Sequence, residues 1–124
     1  SKGIEPILFM SWPYKNKPEM QQMLEKEFFK ASKLNNLRLI PAGQAFLYIN
    51  KNFPNINLYT EDLRHPSKEG TYLAALMVFT SLSNKSPIGN TYIMDLDPNV
   101  AEILQKAAWK TYKDFQKRII DSGL

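Results

Sequence analysis

Apolar residues recur along this chain with two different periods, and the changes between them divide it into elements. Residues 4–12 (Ile-Glu-Pro-Ile-Leu-Phe-Met-Ser-Trp) form a short apolar run closed by Pro13, the pattern of a strand covered on both faces. From Pro18 the period changes. Met20, Met23, Leu24, Phe28 and Ala31 recur at three- and four-residue spacing until Asn35-Asn36, which predicts an amphipathic helix. Residues 37–41 (Leu-Arg-Leu-Ile-Pro) make a second apolar run, and strand, helix, strand in that order predicts a right-handed crossover between parallel strands. Gly43 is expected to turn the chain, and a short helix over residues 44–53 would bury Phe46, Ile49 and Phe53 before Pro54-Asn55 breaks it. After a loop over residues 56–66, Ser67 is placed to cap a helix running to about Ser83, with Leu73, Leu76, Met77 and Thr80 on one face. Residues 88–95 show no clear period. Asp97-Pro98 then supplies a cap and a first-turn proline for a last helix, whose stripe of Val100, Leu104, Ala107, Ala108, Thr111, Phe115 and Ile119 runs toward Gly123.

No repeat, linker or low-complexity stretch interrupts this pattern, so the 124 residues are read as one domain unit. Two convincing strands make too small a sheet for two layers of helices, whereas a doubly wound α/β domain has four or more parallel strands. The expectation is therefore the C-terminal part of a doubly wound parallel sheet, a single partial domain over residues 1–124. The opening Ser1-Lys2-Gly3-Ile4 runs straight into an apolar strand and reads as a cut edge, which agrees with a fragment. A sheet edge and face left uncovered in this way predict possible self-association.

Composition narrows the chemistry. The chain is 44% hydrophobic and 23% charged, and no apolar run approaches the roughly 20 residues of a membrane span. Cysteine is absent, which removes disulfides, thiolate nucleophiles, cysteine-type zinc sites and iron–sulfur clusters together and leaves the compartment open. Sixteen Lys and Arg against twelve Asp and Glu leave a net charge of +4, but the lysines are scattered among acids. Lys106, Lys110, Lys113, Lys117 and Arg118 lie opposite the last helix's apolar stripe and read as a solvated face; no nucleic-acid partner is expected. Asp95 and Asp97 lack a third ligand nearby and read as a helix-start charge and cap, so no metal is expected either.

There is one histidine, His65, and any histidine chemistry near neutral pH passes through it. It lies in Asp62-Leu63-Arg64-His65-Pro66-Ser67, three residues after a carboxylate and directly before a helix. A hydrolytic serine needs a base for its proton, and that imidazole needs a carboxylate on its other nitrogen to fix the tautomer and stabilise the imidazolium. Asp62 and His65 can supply both from one loop. If they do, an Asp62 oxygen should lie within hydrogen-bond reach of His65 Nδ1, with Nε2 facing open space. Trp12, Tyr14 and Trp109 are aromatic residues that suit a pocket lining or a core.

The longer string carries a resemblance. Leu58-Tyr59-Thr60-Glu61-Asp62-Leu63-Arg64-His65-Pro66-Ser67 followed by Gly70-Thr71-Tyr72-Leu73-Ala74-Ala75 resembles the last conserved block of the SGNH (GDSL-type) esterase and lipase family. Phe9-Met10-Ser11-Trp12, Ile40-Pro41-Ala42-Gly43, Ser86-Pro87-Ile88-Gly89 and residues 101–109 are similar to the C-terminal half of such hydrolases, so the likeness spans nearly the whole chain. It implies a flavodoxin-like doubly wound fold, His65 as catalytic base, Asp62 as its orienting acid, and no cofactor. The implied reaction is hydrolysis of carboxylic esters, possible substrates including O-acetyl groups on carbohydrate. The family's Gly-Asp-Ser nucleophile turn, oxyanion-hole glycine and Gly-x-Asn block have no counterpart here, so the implied serine lies in a missing N-terminal half. Ser11 has no flanking glycine to form a nucleophile elbow, and Ser67 is explained by capping. The alternative to a hydrolase is a non-catalytic binding or interaction module that keeps the hydrolase shape.

Overall fold

A computed structural model describes residues 3–122. In chain order it contains β1 (Ile7–Phe9), α1 (Met20–Asn35), β2 (Arg38–Ile40), α2 (Ala42–Asn52), α3 (Lys68–Ser83) and α4 (Pro98–Ser122). The expected stop at Gly123 lies outside the described residues, as does the Ser1-Lys2 start.

The strands pair in parallel with Ile7 opposite Arg38, Leu8 opposite Leu39 and Phe9 opposite Ile40, so the strand–helix–strand unit is present. The doubly wound parallel sheet is not: among the described residues the sheet has two short strands, and the structure is mostly helical. The pairing is confined by local chemistry. Pro6 has no N–H to extend β1 backwards, and beyond Phe9 only Met10 N–H still reaches Ile40 O, at 2.9 Å. Met10 O then accepts from Gly43 N–H at 3.0 Å, so the strand's exit is handed to the first turn of α2 rather than to another strand. Nor is β1 buried on both faces as its apolar run suggests. Ile7 and Leu8 are half-buried and Phe9 is exposed.

Gly43 does not turn the chain; it is the second residue of α2. A Cβ there would stand 2.2 Å from Ser11 O, so glycine is required by the close approach of two backbones. The helix α1 also departs from its expected stripe. Met23 is exposed, whereas Phe28 and Phe29 pack against the small cluster of Met10, Leu39 and Phe115. Its end agrees with the sequence, Asn36 adopting the left-handed conformation that asparagine tolerates, with its N–H on Ser32 O.

The main core lies where α2, α3 and α4 meet, with α3 and α4 forming the most extensive contact. The helix α4 begins as expected, Asp97 Oδ1 accepting from Asn99 N–H at 2.8 Å and Val100 N–H at 3.3 Å. It buries Leu104, Ala107, Ala108, Thr111 and Phe115 from the expected stripe. Its basic face is engaged locally: Lys106 pairs with Glu102, Lys110 with Asp114, and the Arg118 guanidinium covers the Phe29 ring. Among the described residues no helix is long and apolar enough to cross a membrane.

One buried polar residue organises the segment without clear period. Gln105 is buried and donates to Tyr72 OH at 2.9 Å and Asn90 O at 3.1 Å, while its Oε1 accepts from Gly89 N–H at 3.0 Å. Tyr72 OH in turn donates to Tyr92 O at 3.0 Å. Truncating this amide removes three hydrogen bonds, of which the one to Tyr72 OH is buried, and leaving a buried group without its partner costs about 1–3 kcal/mol. Gln105→Ala is therefore expected to lower the free energy of unfolding by roughly that amount in urea titration, and an unchanged midpoint would contradict the network.

Candidate active site

The loop that carries Asp62 and His65 is closed at its base by an antiparallel bridge between Tyr59 and Pro66. Ser67 N–H donates to Leu58 O and Thr60 N–H to His65 O, both at 2.9 Å, so residues 60–65 form a narrow excursion from a fixed stem. Beyond the stem α3 starts at once, capped as expected by Ser67, whose Oγ accepts from Gly70 N–H at 3.1 Å. Gly70 belongs to the same junction. A Cβ at Gly70 would lie 2.2 Å from Leu58 O, so the helix start can press on the strand-like stem only without a side chain there.

Within the excursion, Asp62 is the polar centre. Its Oδ1 accepts from Thr60 Oγ1, Arg64 N–H and His65 N–H, each at 2.9 Å. Its Oδ2 meets His65 Nδ1. These bonds require Leu63 between them to take a left-handed conformation, φ 63°, which costs a residue with a Cβ on the order of 1 kcal/mol. The strained turn is held from outside, because Leu63 O accepts from Lys15 N–H at 2.9 Å. Next to it Arg64 O accepts from the Trp12 indole N–H at 2.9 Å, and the Arg64 guanidinium sits over the Tyr14 ring at 4.7 Å. The segment leaving β1 thus clamps the loop on the side opposite its stem.

The imidazole is 76% exposed and the carboxylate 44%. The contact with His65 Nδ1 is the largest influence holding the Asp62 carboxyl well below the usual carboxylate range, followed by the His65 and Arg64 amides and the Thr60 hydroxyl. An ionised Asp62 has no proton to give, so Nδ1 carries the proton in this contact, and in the neutral imidazole the lone pair is then on Nε2. No group among the described residues, a serine hydroxyl included, hydrogen-bonds to Nε2. The arrangement can accept a proton at Nε2 from a hydroxyl brought to it and stabilise the charge through Asp62.

The structure brings together the two residues picked out in the sequence and adds others that sequence reasoning passed over. Trp12 is not a pocket wall: it stacks on Phe46 with ring centres 4.2 Å apart and spends its N–H on the loop. Thr60 and the Lys15 amide carried no sequence signal, since one is an ordinary threonine and the other a backbone group. Ser11 is half-buried beside Gly43, and Trp109 stacks on Tyr112 within α4. Among the described residues no three of His, Cys, Asp and Glu gather into a cation site.

Two outcomes follow for this loop. The carboxyl carbon of Asp62, followed by NMR as acid is added, should titrate with a midpoint well below about 3.9. Because folding lowers this pKa, the contribution of Asp62 to stability is complete above the unfolded value and fades as pH falls from there toward the folded midpoint. A midpoint at or above the unfolded value would contradict the contacts described. Trp12→Phe keeps an aromatic ring against Phe46 but deletes the N–H, and the loss of one hydrogen bond, about 1 kcal/mol, should fall on the loop. Amides of residues 60–65 should exchange faster while those of α3 do not, and uniform acceleration through the core would show a packing effect instead. No family model, curated protein or solved structure matches this chain.

Proposed function

We propose that this chain supplies the general base and its orienting acid, His65 and Asp62, to a serine ester hydrolase. The observation that carries the reading is the His65 Nδ1 contact with an ionised, backbone-held Asp62, combined with an Nε2 that no group among the described residues hydrogen-bonds. The resemblance of residues 58–75 to the histidine block of SGNH esterases supports it. In the proposed reaction a serine hydroxyl from protein beyond these residues attacks an ester carbonyl while His65 Nε2 takes its proton. The same proton passes to the departing alkoxide as the carbonyl reforms, leaving an acyl-enzyme. Water then attacks that acyl group, gives its proton to Nε2, and the serine oxygen recovers it when the acid leaves. Asp62 stays ionised throughout and stabilises the imidazolium. The substrate class is a carboxylic ester with a compact acyl group, O-acetylated carbohydrate included, and the chemistry calls for no cofactor.

The test is hydrolysis of short p-nitrophenyl esters by the full protein, compared with two variants. His65→Ala should lower kcat at least about a hundredfold, the scale of a general base. Asp62→Asn should lower it by up to about 10⁴, because the neutral amide favours the wrong tautomer. Absence of ester turnover, or turnover that survives His65→Ala, would overturn the proposal.

A further inference from the structure

The segment that clamps the loop has a second face. Between it and α2 lies a cleft of about 400 Å³, within the range of roughly 300–1,000 Å³ typical of small-molecule sites. Its walls are mostly apolar, with Pro13, Tyr14, Leu47 and Ile56 among them. The walls are tied together rather than collapsed: Tyr59 OH donates to Pro13 O at 2.9 Å and accepts from Asn50 Nδ2 at 3.1 Å, which joins the clamp segment to α2 through a buried phenol. Burial raises the Tyr59 pKa, so the phenol keeps the proton this bond needs.

The charge in the cleft is one-sided. Lys15 and Lys51 belong to its lining, which contains no acidic residue. Neither lysine forms an ion pair among the described residues. Lys15 Nζ is directed by Asn57 Oδ1 at 3.1 Å, a neutral partner that leaves its charge uncompensated and two of its protons unassigned. An apolar cavity with two unbalanced ammonium groups complements a ligand that is apolar over most of its body and carries one anionic group.

We infer that this cleft binds small apolar carboxylates, with the ligand body against Leu47 and Ile56 and the carboxylate between Lys15 and Lys51. The cleft shares Tyr14 and Lys15 with the clamp on the His65 loop, so in a hydrolase it would hold an acidic, non-scissile part of the ester substrate. That last step rests on the hydrolase reading; the binding itself does not.

Binding of 2-naphthoate and of its uncharged counterpart 2-naphthamide to the chain separates the two, because neither requires turnover. With the methyl groups of Leu47 and Ile56 observed by NMR, 2-naphthoate should shift both and bind about fivefold more tightly than the amide, the scale of a water-exposed charge pair. Lys15→Gln combined with Lys51→Gln should abolish that preference while leaving the fold intact, since both side chains are exposed. Leu47→Trp should fill the cleft and remove binding of both compounds. Shifts that miss Leu47 and Ile56, equal affinity for the two compounds, or a preference that survives the double lysine change would each overturn the inference, and none of these results would bear on His65.

Discussion

The carboxylate of Asp62 gathers more of the polar contacts within the excursion from 60 to 65 than any other group there. Oδ1 takes three donors from within the loop, and Oδ2 is left for the imidazole. The two oxygens have separate tasks. One closes the backbone into a turn, and the other, its position set by that closure, meets the ring. The His65 orientation is therefore a consequence of backbone structure rather than of attraction between two side chains in water, which at such exposure contributes little.

The loop could not keep this shape alone, because it includes a leucine in the left-handed region. Strain of that kind persists where surrounding structure over-determines it. Here the surroundings are the Trp12 indole and the Lys15 amide, which both donate to loop carbonyls, and the Tyr59–Pro66 stem. Clamp and stem both reach into the core, through the Trp12 stack on Phe46 and through Leu58 and Tyr59, which are buried. Gly43 and Gly70 serve the same end. Each lets one backbone approach another more closely than a Cβ allows, Gly43 joining the exit of β1 to α2 and Gly70 joining the loop stem to α3.

Local features were legible in the sequence where they depend on neighbours along the chain. The Ser67 and Asp97 caps, the Asn36 stop and the α4 stripe rest on spacings of three or four residues, and the Asp62–His65 contact is itself an i, i+3 relation. What was not legible depends on distant chain. The reach of a sheet is decided by what accepts each strand's hydrogen bonds, and Met10 O turning to Gly43 N–H is invisible in the apolar run 4–12. That is why the run predicts a strand covered on both faces, where a three-residue strand with an exposed Phe9 is found. Gly43 read as a turn because glycine's usual signal is conformational, whereas its role is room for Ser11 O. Gln105 carries no local signal, because its partners lie 15, 16 and 33 residues away. The doubly wound sheet that the resemblance to SGNH hydrolases implied is what the structure corrects.

This division bears on how such a site can work. An imidazole this exposed keeps an ordinary aqueous setting on its Nε2 side, so the loop provides orientation but not the dry surroundings in which charge stabilisation is strongest. Orientation and dehydration thus have different origins. The first is built into residues 58–70 and the clamp from 12–15, while the second comes from whatever lies over Nε2 when the site is occupied. A mutation in the clamp acts on orientation, and one at the exposed ring acts on the proton itself. Local hydrogen bonding thus fixes the geometry of a loop whose own side chains are mostly exposed.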